Sequence, residues 1–192
     1  MNFGVLLYHE VNELAAFGIY SIIAMAAKIS EQELNLFTLA KSRKSIITDG
    51  ALIVTPQYAF ASSHSPDVLI IPGGAGVFKA AKNKQIADYL LRLEPNLKLL
   101  ITVSSGAVLA AELGFLKDKH IAAPDGLSDY LESYELMSVS DKRLVKDDRL
   151  WSGSSPSSSL DLGLELILEF YGAELASKVA KSMGIPEQGA LF

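Results

Sequence analysis

Cysteine is absent from all 192 residues. That excludes disulfides, thiolate metal sites and every cysteine nucleophile. No run approaches about 18 unbroken apolar residues, so no membrane-spanning helix is expected. A basic excess is missing too. The net charge is −5, which argues against a phosphate backbone and against an anionic membrane surface as partner. The opening MNFGVLLYHE lacks the basic stretch of a secretory leader, so a cytoplasmic location is the expectation. What is present is a globular composition. A hydrophobic share of 49% with 20% charged residues rules out a disordered chain. The length fits one domain, residues 1–192. A chain of this size buries roughly 70% of its extended surface on folding, enough for a core without staples.

The chain reads as strands alternating with helices. Phe3 to Tyr8 is a short apolar run of the buried-strand type. From Asn12 to Lys28 the apolar residues Leu14, Phe17, Ile22, Met25 and Ala26 share one helix face, with Asn12 as candidate N-cap. Leu34 to Ala40 is a second strand. Ser45 to Thr55 holds two β-rich runs around Asp49-Gly50, a hairpin signal. Val68 to Ile71 is a third buried strand, left through Pro72-Gly73-Gly74. A helical pattern covers Val77 to Leu93, in one or two pieces, and stops at Pro95. Leu97 to Val103 is strand, and Ala107 to Leu113 is helix. Short strands are expected at His120 to Ala123, Met137 to Val139, Arg143 to Val145 and Leu150 to Ser152. Two helices follow, Ser158 to Tyr171 and Ala173 to Met183. The Ser-rich stretch Ser152 to Ser159 runs straight into an amphipathic helix, which argues against a linker.

This order predicts an α/β fold: a mostly parallel, doubly wound, flavodoxin-like sheet with helices on both faces and a small β-hairpin extension. Ligands of such sheets bind beyond the carboxyl ends of the strands. Tyr8-His9-Glu10, Gly73-Gly74, Ser104-Ser105 and Pro124 all stand at such ends and should converge on one edge.

The most informative segment is LLITVSSGAVLAAELG. A strand passes into a helix through Ser104, with Gly106 close behind. That is the layout of a nucleophile elbow, which holds a side chain exposed on a sharp turn. The hydrolase pattern G-x-S-x-G is not met, because Thr102 stands where it has glycine. From spacing alone, helix N-capping is the more ordinary role for Ser104 and Ser105.

IIPGGAG, then VSSGAVLAAELGFL about 30 residues on, then HIAAP, then a Ser-rich turn into LDLGLELI, occur in that order. On these motifs the whole chain resembles the ThiJ/PfpI family of the class I glutamine-amidotransferase-like superfamily. It is most similar to the branch with isonitrile hydratase and the ligand domains of AraC-type regulators. The resemblance implies a cysteine nucleophile at the elbow, and Ser104 stands there. It implies a supporting acid in the first loop, and Ala15 stands there. It implies a histidine after the strand that follows the elbow helix, and Pro124 stands there. The frame does match: Gly73 and Gly74, whose loop supplies an oxyanion amide in the family, and the amide of Ser105. The resemblance also implies self-association, as a homodimer or larger homo-oligomer.

A serine hydroxyl is not ionised near neutral pH and needs an adjacent base, which Pro124 cannot be. Of the three histidines, His120 opens its strand, roughly 13 Å from the carboxyl edge at ~3.3 Å per residue. His64 precedes the Val68 strand and belongs to the opposite end. His9 closes the first strand at the correct edge, and Glu10 and Glu13 nearby could orient it toward Ser104. The Gly74-to-Lys79 stretch breaks G-x-G-x-x-G at its last position, and no metal-ligand spacing occurs, so no cofactor and no metal are expected. Asp141, Asp147 and Asp148 alternate with Lys142, Arg143, Lys146 and Arg149, a solvated hairpin pattern. Trp151 is a candidate pocket wall, with core packing as its other role. Asp161 is a first-turn acid of its helix.

Two functions remain. The first is a family-fold protein without cysteine chemistry, serving as a small-molecule-binding or regulatory module. The alternative is a divergent hydrolase or lyase with Ser104 as nucleophile, His9 as base and the amides of Gly74 and Ser105 as oxyanion hole. Only nine residues follow Met183, so the chain has no room for a helix-turn-helix domain and no direct nucleic-acid partner is expected.

Overall fold

The computed structural model describes residues 1–30 and 32–186. In chain order the elements are β1 Asn2–Leu6, α1 Glu13–Ile29, β2 Asn35–Ala40, β3 Ile46–Ile47, β4 Ile53–Val54, β5 Tyr58–Ala59, β6 Val68–Pro72, α2 Val77–Ala81 and α3 Lys84–Leu93. They continue with β7 Leu99–Val103, α4 Gly106–Glu112, β8 His120–Ala122, α5 Ser128–Glu132, β9 Ser138–Ser140, β10 Leu144–Asp147, β11 Leu150–Gly153, α6 Ser158–Tyr171 and α7 Ala173–Ser182.

The main sheet has seven strands in the order β10-β11-β7-β6-β1-β2-β5. Every neighbouring pair is parallel except β10 with β11. Parallel strands covered on both faces need apolar residues at successive positions, not alternating ones. Every residue of VLIIP in β6 and of LLITV in β7 is buried accordingly. Helices α1, α6 and α7 pack together as one layer, and α2, α3 and α4 form the other. This is the doubly wound α/β class. The chain leaves β1 toward β2 on one side and later fills β6, β7 and β11 on the other. The reversal of direction therefore falls at β1.

Local signals explain the ends. Asn12 caps α1, its Oδ1 accepting from Ala15 N at 3.0 Å. Asn83 accepts from the amides of Gln85 and Ile86 and divides the 77–93 helical pattern into α2 and α3. The hairpin of β3 and β4 forms with Ile47 opposite Ile53, but its turn differs from a two-residue Asp-Gly type. The left-handed residue is Ala51, at φ 67. Strand β5, helix α5 and the pairing of β8 with β9 in a separate sheet go beyond the sequence pattern. At two to five residues each, such elements carry almost no periodicity.

The α1–α6 contact is unusually close. Gly163 faces Ile22, and a Cβ at 163 would lie 2.7 Å from the Ile22 Cβ. Ser159 Oγ reaches across to donate to the Leu14 carbonyl at 2.8 Å. Overpacking such a contact typically costs about 1–3 kcal/mol. Gly163→Ala is therefore expected to lower the urea-unfolding free energy by about that amount, and an unchanged midpoint would show that the helices separate freely.

Candidate active site

The carboxyl ends of β1, β6 and β7 abut, backbone against backbone. Asn12 N donates to the Gly73 carbonyl at 2.8 Å, and Gly76 N donates to the Glu10 carbonyl at 3.1 Å. A Cβ on Gly76 would collide with the His9 carbonyl, one on Gly74 with the Glu10 carbonyl, and one on Gly106 with the Ile71 carbonyl. Beneath them the buried Tyr8 hydroxyl donates to the Pro72 carbonyl at 2.6 Å, and burial pushes its phenol far above the ordinary tyrosine range. The loops after β1, β6 and β7 are thus brought to one edge.

Ser104 sits at that edge with φ 55, a left-handed conformation that non-glycine residues seldom adopt. Its amide donates to the Gly153 carbonyl at 2.7 Å, which fixes the turn from the β11 side. Its side chain is buried, at 8% exposure, and its hydroxyl has no hydrogen-bond partner among the described residues. Two positions down β7, Thr102 lies between Ile71 and Ser152 in register. Its Oγ1 is fully buried and also without a partner. A lone threonine in the otherwise aliphatic LLITV was the available sequence signal. Neither serine caps α4 through its side chain. Ser105 Oγ instead accepts from Gly74 N at 3.0 Å. The capping expectation therefore gives way, because the glycine loop offers Ser105 a nearer donor than the helix does.

The other predicted residues are dispersed. His9 is exposed, and its Nδ1 accepts from Ile47 N at 3.3 Å. That bond turns the ring to the β3 side, and no hydrogen bond joins it to Ser104. Glu13 does not orient His9. Its carboxylate accepts from the Thr48 hydroxyl and from Gly50 N, the latter at 2.7 Å, which clamps the hairpin onto α1. The Thr48 hydrogen bond holds Glu13 below the ordinary carboxylate range. Glu10 pairs with Lys79 at 2.9 Å. Ala15 is fully buried in α1, and Pro124 follows β8. Gly73 is buried, and a Cβ there would come within 2.5 Å of Ser105 Oγ.

Trp151 is a core residue rather than a pocket wall. It lies opposite Ile101, two residues short of the carboxyl end of β11. Its ring stacks on Phe170 with centroids 6.5 Å apart, and Lys146 Nζ lies 4.2 Å above it. Asp161 is ion-paired with Arg143 at 2.6 Å. Asp147, expected to be simply solvated, accepts from His120 N at 2.8 Å and so ties β8 to β10. His120 Nδ1 is bonded to Ser138 Oγ at 2.8 Å, and His64 packs edge-on against Tyr58 with centroids 5.3 Å apart. Among the described residues no three His, Asp or Glu side chains cluster as metal ligands, and no helix is long and apolar enough to cross a membrane.

A mostly parallel sheet with a strained strand-to-helix turn beside a Gly-Gly loop defines a doubly wound α/β protein, with the candidate site at the carboxyl edge. The family model described as DJ-1/PfpI matches residues 5–169, and the chain belongs to that family. Isonitrile hydratase of Pseudomonas putida is 25% identical over 179 residues, covering 93% of this chain and 76% of that enzyme. A THiJ/PfpI family protein from Pseudomonas syringae shares the fold with a TM-score of 0.89 at 20% identity, over 100% of this chain and 77% of that one. An AraC family transcriptional regulator from Pseudomonas putida shares it with a TM-score of 0.81 at 17% identity, over 95% of this chain and 98% of the other.

The conformation at Ser104 is testable by itself. A left-handed non-glycine residue costs roughly 1–2 kcal/mol, partly offset by the unfolded-state freedom that glycine adds. Ser104→Gly is expected to raise the unfolding free energy by about 0.5–1 kcal/mol, and a loss of stability would place the Ser104 side chain among the contacts that hold the turn.

Proposed function

We propose that this chain is a DJ-1/PfpI-family pseudoenzyme. It works as one cytoplasmic domain, a small-molecule-binding or regulatory module that keeps the nucleophile elbow as scaffold and has lost the family's cysteine chemistry. One observation carries this proposal: the Ser104 hydroxyl has no base. It stands in the strained turn without a hydrogen-bond partner, while His9 is held by Ile47 and the remaining family positions are Ala15 and Pro124. A serine without a proton acceptor is not activated for attack. The oxyanion site is compromised as well, because the Gly74 amide is already given to Ser105 Oγ. An AraC family transcriptional regulator shares the fold, so the same fold is used in a regulator.

Self-association fits the surface. Leu14 on α1 and Ile47, Leu52 and Ile53 on the hairpin are exposed apolar side chains, Ile53 at 75%. Glu13 holds that hairpin against the start of α1, so the four belong to one region.

The second function, a divergent hydrolase or lyase, rests on one feature: Ser104 keeps a left-handed backbone and an uncommitted hydroxyl, and such strain is concentrated at active sites. A turnover assay separates the two. The purified chain is incubated with an alkyl isonitrile and with p-nitrophenyl acetate. No hydrolysis or hydration above buffer is expected. Turnover that disappears in Ser104→Ala would establish the enzyme instead, a hydrolase if the ester is cleaved and a lyase if the isonitrile is hydrated.

A further inference from the structure

A cleft of about 570 Å³ opens beside the elbow rather than at it. The loop after β1, the loop after β2 and the α2–α3 segment after β6 line it, and none of Gly73, Gly74, Ser104 or Ser105 does. It therefore straddles the carboxyl ends of β6, β1 and β2, where the winding of the sheet reverses. Open α/β sheets place their ligand crevices at that point. Its volume falls within the range of small-molecule sites, about 300–1,000 Å³.

The lining has two parts. Leu7, Ala40, Ile46, Ala80 and Ile86 supply apolar surface. Lys41, Lys44 and Lys79 supply three ammonium groups, and no carboxylate lines the cleft at all. In a chain of net charge −5, three cations without an acid on one concave surface are not an average sample of the composition. Lys79 is paired with Glu10, which stands outside the lining. Lys41 and Lys44 have no acidic partner among the described residues. Asn83 and Gln85 add neutral amide groups at the same border. A concave apolar surface bordered by uncompensated cations attracts a ligand that is anionic at one end and apolar at the other.

We propose that this cleft is a binding site for a small anionic ligand with an apolar body, of the class of aryl or branched-alkyl carboxylates, sulfonates and phosphate monoesters. Lys41 and Lys44 meet the anionic head, and the apolar lining takes the body. The site does not depend on the chemistry of Ser104 and holds whether the elbow is inert or active.

The test uses a matched pair of fluorescent probes on the full-length protein. 8-Anilinonaphthalene-1-sulfonate carries the anion, and N-phenyl-1-naphthylamine has the same body without it. The sulfonate is expected to bind saturably and to weaken as salt rises from about 50 to about 500 mM, since exposed charges are increasingly screened over that range. Lys41→Glu/Lys44→Glu is expected to weaken it at least about tenfold, and Lys41→Ala/Lys44→Ala by less, while the neutral probe changes by less than about twofold. Thermal unfolding of both double variants confirms that they fold. In Ser104→Ala the sulfonate binds as in the unaltered protein. Amide NMR shifts caused by the sulfonate are expected at Leu7, Ala40, Ile46, Ala80 and Ile86. The proposal is overturned if the lysine variants leave sulfonate binding unchanged or weaken both probes equally. It is also overturned if the shifts fall at Gly73–Gly74 and Ser104–Ser105, or on the exposed Ile47–Ile53 surface.

Discussion

Close backbone packing at the carboxyl edge of β1, β6 and β7 is the constraint on which the rest of the site depends. Gly74, Gly76 and Gly106 each stand where a single added carbon would strike a carbonyl of a neighbouring segment. Because none is there, the loop after β1 hydrogen-bonds directly to the Gly-rich loop after β6, and α4 begins against the end of β6. The chain then has little room to turn from β7 into α4. It does so through one left-handed residue, Ser104, tied from the other side by Gly153. The strain is local, and a large shared core over-determines it, as strained conformations require.

That geometry supplies position, and in the function we propose it does not supply reactivity. A thiol at such a turn needs only a modest fall in pKa to react, whereas a hydroxyl needs a proton acceptor in contact with it. The groups that could have served are engaged elsewhere. His9 receives the Ile47 amide, Glu13 receives Thr48 and Gly50, and Gly74 donates to Ser105. These bonds join the edge of the site to the β3–β4 hairpin and to the turn itself. The first-loop residues thus bind structure together where the family resemblance implies a reaction partner. The basic cleft lies beside the elbow, beyond the ends of β6, β1 and β2, and none of Gly73, Gly74, Ser104 or Ser105 lines it.

Much of this was legible in the residues. The strand–helix alternation, the parallel sheet and the Asn12 cap follow from apolar runs and a capping signal, and the family from the resemblance carried by the motifs in their order. Side-chain commitments were not legible. Ser105 looked like a helix cap, yet its oxygen takes the Gly74 amide, 31 positions away in sequence. Trp151 was open to a pocket role or to core packing, and its register one strand from β7 settles it onto Phe170. Lys41 and Lys44 stand in KSRKS, a segment with no motif or periodicity of its own. Only the fold brings Lys79 beside them and leaves carboxylates out. Local sequence encodes element type through periodicity, but the partner of a polar group is chosen by tertiary neighbours.

The central claim is that Ser104 is a positioned but unactivated hydroxyl. Covalent trapping tests it most directly. The purified chain is exposed to a fluorophosphonate, which phosphonylates a serine only when a neighbouring base takes its proton, and the product is read by intact-protein mass spectrometry with peptide mapping. An unactivated Ser104 predicts an unmodified chain under conditions in which a serine hydrolase labels fully. A single adduct mapping to Ser104 would contradict the claim and show that the elbow is still chemically alive.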